Sequence, residues 1–149
     1  MLFLLLSLIT SGVTIGFVSP EYTVSEVDFS ITVQMRLLGS TEIPLTLFLS
    51  TSDQTAVAGQ DYVGVMELPV VFGPYSVSSV STDIQLIEDG TVETEERFQL
   101  LLEMSENLTR VVVDQNMVTI NIQDSDCKLF TACVSRTGEE FDIMSFSLC

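Results

Sequence analysis

The sequence predicts an all-β fold, a sandwich of seven short antiparallel strands. Three observations carry this expectation. Apolar and polar residues alternate with period two over several short stretches. Proline, glycine, asparagine and aspartate punctuate the chain between them. No stretch keeps a helical period over a helix's length, so the strands must pack sheet on sheet.

The elements follow in order. An opening strand lies near residues 15–24 and is broken at Ser19-Pro20. Over 29–37 every odd position is apolar and polar residues stand between, as in a half-buried strand. A third strand, 45–49, follows Pro44. The region 63–72 is interrupted by Pro69, which cannot donate to a ladder and marks an edge or a bulge. Residues 83–87 supply another strand. Good helix formers fill 93–102, but Phe98, Leu100 and Leu102 keep strand alternation, so 98–102 is read as a strand. Residues 117–122 alternate again and close the set. The arrangement expected is a seven-stranded antiparallel immunoglobulin-like sandwich over 13–126, followed by a cysteine-bearing tail over 127–149.

Composition excludes several functions. The chain has 149 residues, 46% of them hydrophobic, enough for a core and against wholesale disorder. Acids number 21 and bases 5, for a net charge of −16. Such a chain repels phosphate backbones, so nucleic acid is not an expected partner. Histidine is absent, which removes histidine triads and histidine metal sites.

The first residues suggest export. Residues 2–9 form an apolar run too short to span a bilayer, where about 20 residues are needed, but suited to a leader's apolar centre. Small residues Thr10, Ser11 and Gly12 follow, so 1–12 is read as a signal peptide. No segment reads as membrane-spanning. Asn107-Leu108-Thr109 is a glycosylation sequon, meaningful only in an exported chain. Cys127, Cys133 and Cys149 all fall in the tail; their odd number leaves a free thiol or an intermolecular partner, and a Cys127–Cys133 bridge is one pairing among several.

Strand parity places the acids. If each strand runs opposite to its predecessor, the end of the first strand, the third connection, the fifth connection and the end of the last strand share one pole. These segments carry Glu26 and Asp28; Asp53 and Asp61; Glu88, Asp89, Glu93, Glu95 and Glu96; Asp124 and Asp126. Arg97 is the only cation nearby in sequence. The opposite pole holds fewer acids, among them Glu42, Glu103, Glu106 and Asp114, with Arg110 beside them. Converging carboxylates raise one another's pKa and repel, a cost that a divalent cation removes. Calcium takes six to eight oxygens in irregular geometry, whereas zinc would want the histidine or cysteine that this pole lacks.

Four motifs in this order resemble the Calx-beta domain family. They are Tyr22-Thr23-Val24-Ser25-Glu26, the segment 51–62 ending in Ala58-Gly59-Gln60-Asp61-Tyr62, the acidic loop 87–98 ending in Glu96-Arg97-Phe98, and the closing strand 118–126. Together they cover about 110 residues. The resemblance implies a Ca²⁺ site formed by Glu26, Asp61, Glu88, Asp89, Glu93, Glu96, Asp124 and Asp126, with the backbone carbonyl of Thr91. Three departures stand out: Ser125 replaces an acid of the strongest binders, Gln54 replaces a turn glycine, and Gly90 replaces an acid.

The function expected is a calcium-binding module of a secreted or cell-surface protein, at the extracellular face of the plasma membrane or beyond it, in adhesion or cell communication. Its partners would be calcium ions and other domains or cell-surface proteins. The alternative is a structural spacer whose calcium site is degenerate. A cytosolic exchanger loop fits less well with the leader-like start. Catalysis is not expected, because no nucleophile, base and orienting group form a recognisable set.

Overall fold

Alternation in sequence becomes alternation in burial. The computed structural model describes residues 12–75, 79–104, 110–125, 128–134 and 142–148. In β3 (Ser30–Leu38), Ile31, Val33, Met35 and Leu37 are buried and the residues between them are exposed. In β7 (Glu96–Met104), Phe98, Leu100 and Leu102 face the core, as their alternation requires. Helix propensity over 93–102 lost because apolar residues spaced two apart can share a strand face, and that face is buried.

Nine strands form two sheets. The remaining elements are β1 (Val13–Phe17), β2 (Glu21–Ser25), β4 (Leu45–Asp53), β5 (Leu68–Phe72), β6 (Ser79–Gln85), β8 (Val111–Val113) and β9 (Met117–Gln123). One sheet has the order β6-β3-β1-β8 and the other β2-β9-β7-β4-β5. Their inner faces meet in one core that includes Ile15, Leu37, Ile84, Leu47, Phe72, Leu100 and Ile120. β10 (Lys128–Val134) and β11 (Asp142–Leu148) pair antiparallel in the tail, where no strand was expected.

Three sequence expectations are corrected. The sandwich has nine strands, not the seven antiparallel strands of the immunoglobulin-like expectation. The opening strand is two strands in different sheets, because the chain crosses over at Ser19-Pro20, where proline cannot continue a ladder. The other added strand, β8, has only three residues, too few for a periodic signal. Two pairings are parallel rather than antiparallel: β1 with β8, and β2 with β9. Finally, the 63–72 region is a strand only over Leu68–Phe72, and β5, which holds Pro69, is an edge strand.

The β2–β9 pairing positions the acids. Its register runs from Glu21↔Thr119 to Ser25↔Gln123. Parallel strands end at the same pole, so the residues after Ser25 and after Gln123 emerge side by side. The connection 54–67 from β4 and the connection 86–95 into β7 reach this pole too. Asp61 O accepts a hydrogen bond from Ile87 N–H at 2.9 Å, which ties the two connections together.

Residues 1–11 of the expected signal peptide 1–12, the sequon at Asn107, Asp126, Cys127 and Cys149 lie outside the described residues. Cys133 falls within β10. No helix among the described residues is long and apolar enough to cross a membrane.

Candidate metal centre

Each acid reaches the pole by a different local device. Glu26 opens a 3₁₀ turn, Glu26–Asp28, directly after β2. Ser25 N–H donates to Asp28 Oδ2 at 3.2 Å and closes that turn. Asp61 is held by Val57, whose N–H donates to Asp61 Oδ2 at 2.6 Å. Gly59, at φ +87°, lets the chain double back between them. Glu96 is the first residue of β7. Glu93 is held by its backbone, whose N–H donates to Asp124 Oδ2 at 2.9 Å.

The result is a carboxylate cluster. Oxygens of Asp61, Glu93 and Glu96 lie within 4.8 Å of one another. A small pocket is lined by Glu26, Asp61, Ile87, Glu93, Thr94, Glu96, Ile122 and Asp124. Arg97 does not enter it. It lies between Glu96 and Phe98 on β7 and projects to the strand's other face, where it is exposed.

Proton affinities report the crowding. Burial, and next the neighbouring Asp61 carboxylate, push Glu96 up to about 7. Glu93 is raised as well, by burial first and then by Asp61, Asp89, Glu26 and Asp124. Both effects disfavour the charged form, as expected where like charges meet away from bulk water.

Glu26 is the most enclosed acid among the described residues, at 6% exposure. Its Oε1 accepts from Ser125 N–H at 2.8 Å and from Ser125 Oγ at 3.2 Å. Among the described residues nothing donates to its Oε2. A buried carboxylate oxygen without a donor is costly, and a cation is the natural partner for it. The donors lining this pocket are oxygens, which suits calcium and not zinc.

The Calx-beta domain model matches residues 9–126 of the chain. The chain belongs to the Calx-beta domain family. Solved structures agree in fold. The apo-form Calx CBD1 domain superposes with a TM-score of 0.69 at 26% identity, covering 78% of this chain and 100% of that one. The calcium binding domain CBD12 of CALX1.1 gives 0.68 at 27% identity over 76% of this chain, which spans 45% of that longer structure. The Calx CBD2 domain, at 13% identity, shares the fold with a TM-score of 0.65 over 75% of this chain and 86% of its own. No curated protein matches the chain. This Calx-beta domain therefore resembles the Calx calcium-binding domains.

The structure separates the residues that the sequence grouped. Glu26, Asp61, Glu93, Glu96 and Asp124 of this Calx-beta domain line one pocket. Glu88, Asp89 and Thr91 are exposed on the connection into β7 and do not line it. Thr91 N–H instead donates to Asp89 Oδ1 at 2.8 Å, with Gly90 at φ +71° between them. Asp89 still reaches the pocket through its field, since it helps raise Glu93 and Glu96.

Two contributors escaped the sequence. Thr94 lines the pocket and Ser125 binds Glu26, but neither carries the charge that drew attention to the acids. Asp53 was placed at this pole yet holds the loop rather than the pocket: its Oδ1 accepts from Tyr62 OH and from Ala58 N–H.

Proposed function

We propose that this Calx-beta domain is a calcium-binding module of a secreted or cell-surface protein. The observation that carries the reading is Glu26: a buried carboxylate whose second oxygen has no donor among the described residues, in the pocket where Asp61, Glu93 and Glu96 crowd together. Glu26, Asp61, Glu93, Glu96 and Asp124 would hold the ion. Calcium would supply the positive charge that the pocket lacks, so that connections 54–67 and 86–95 become fixed to the ends of β2 and β9. Stiffening of this pole would serve adhesion or cell communication by orienting a neighbouring domain or a cell-surface partner. The module acts by binding, not by catalysis.

The resemblance to a structure described as a calcium binding domain supports the reading. Ser125 favours a weaker version of it. Two of its donors satisfy Glu26 Oε1 where a further acid would otherwise add a ligand. At the limit, the domain is a spacer with a degenerate site.

Isothermal calorimetry of the whole chain with Ca²⁺, paired with melting curves, separates these. Saturable heat and a raised Tm are expected. No heat at millimolar calcium and an unchanged Tm would leave the spacer.

A further inference from the structure

The cluster depends on Asp61, and Asp61 sits in a connection with no regular strand between β4 and β5. What holds it lies one residue further on. Tyr62 is fully buried. Its ring stacks on Phe98, with centroids 3.8 Å apart and planes 9° from parallel. Its hydroxyl donates to Asp53 Oδ1 at 2.5 Å, and the same oxygen accepts from Ala58 N–H at 2.9 Å. Gly59 N–H donates to Tyr62 O at 2.8 Å. Asp53, the last residue of β4, is thus bonded to both ends of the turn that presents Asp61.

The two contacts form consecutive rungs. Glu96 and Phe98 are two apart on β7 and face the same side of it. Carboxylate oxygens of Asp61 and Glu96 lie within 4.8 Å of each other, and Tyr62, next to Asp61, stacks on Phe98.

We propose that the hydrogen bond from Tyr62 to Asp53 is a latch that positions Asp61 in the cation pocket. Asp53 and Tyr62 are positioning residues. They set calcium affinity through Asp61 and do not touch the ion. The inference rests on the calcium reading above and adds to it residues outside the pocket lining. Partners that orient a ligand commonly matter about 10–100-fold to metal affinity.

Calcium titration of the full chain by calorimetry tests this, with folding of each variant checked by circular dichroism. Tyr62→Phe keeps the stack and removes the hydroxyl; affinity should fall about tenfold or more. Asp53→Ala, at an exposed position, should match it and serves if Tyr62→Phe does not fold. Asp53→Asn is the discriminating variant: its amide oxygen still accepts both bonds, so affinity should stay within about threefold of wild type. Adding Tyr62→Phe to Asp53→Ala should cost nothing further. Wild-type affinity in Tyr62→Phe would overturn the latch. So would an Asp53→Asn loss as large as that of Asp53→Ala, which would make the Asp53 charge itself the agent. A wild-type chain that takes up no calcium would overturn the calcium reading and the latch together.

Discussion

Glu26 Oε1 lies 2.8 Å from the amide nitrogen of Ser125 and 3.2 Å from its hydroxyl oxygen, across 99 residues of chain. The parallel register of β2 and β9 makes this contact, because Ser25 and Gln123 are partners and the next residues of both strands emerge together. The pairing leaves Glu26 buried at the edge of the acidic pocket that it helps to line.

Glu26→Gln keeps an oxygen for Ser125 and removes the charge. Calcium affinity should drop at least about tenfold, equivalent to ~1.4 kcal/mol. The calcium-free domain should melt no lower than wild type, since a carboxylate near like charges has been neutralised. Calorimetric titration and scanning calorimetry check the two halves.

Ser125→Asp should do the reverse. A second carboxylate beside Glu26 should lower the calcium-free Tm by a few degrees, for a cost of about 1 kcal/mol. In saturating calcium the added oxygen ligand should tighten binding and restore or raise the Tm. Melting curves with calcium and with chelator give both outcomes.

The calcium-free domain should become less stable as pH rises from about 4.5 to about 7. Glu96 has an ordinary value near 4.5 and is pushed up to about 7 in the fold. A raised folded value means that the group's stabilising contribution is fully present below the unfolded value and is lost as pH climbs through the folded one. Glu93 is shifted in the same direction. Glu96→Gln should flatten this dependence. Because calcium competes with protons for these carboxylates, its apparent affinity should weaken as pH falls below about 7. Melting temperatures across pH 4.5–7.5, in chelator and in calcium, test both statements.

Gly16→Ala should destabilise without touching the calcium pocket. A Cβ at Gly16 would stand 2.8 Å from Gln115 N and 3.0 Å from Gln115 O, both backbone atoms. The segment between β8 and β9 would have to move, at a cost of about 1–3 kcal/mol. Urea unfolding should show the loss, while calcium affinity stays at the wild-type value.

How far the sequence could be read depended on the range of the physics involved. Strand alternation acts over a few residues, so β3, β4, β7 and β9 were visible directly: Ile31, Val33, Met35 and Leu37 announce their own burial. The three-residue β8 has too few residues to carry a period, and the crossover at Ser19-Pro20 changes sheet without changing composition. Parity brought the acidic segments to one pole without a template, since it needs only the direction of each strand.

Side-chain convergence lay beyond that. Composition could not separate Glu93 and Asp124, which line the pocket, from Glu88 and Asp89, which do not. The choice follows from where each connection turns: Glu93 N–H is caught by Asp124, whereas Asp89 folds back on Thr91 N–H. Nor could sequence show that Asp53 belongs to the frame and Asp61 to the pocket, since that difference follows from Asp53 accepting the buried Tyr62 hydroxyl and the Ala58 N–H while Asp61 lines the pocket. The chain alone determined the all-β class and the charge that must be balanced, because both are sums over local residues. Only the folded arrangement decided which carboxylates meet, because a few ångströms set by long-range register separate a solvated acid from a crowded one.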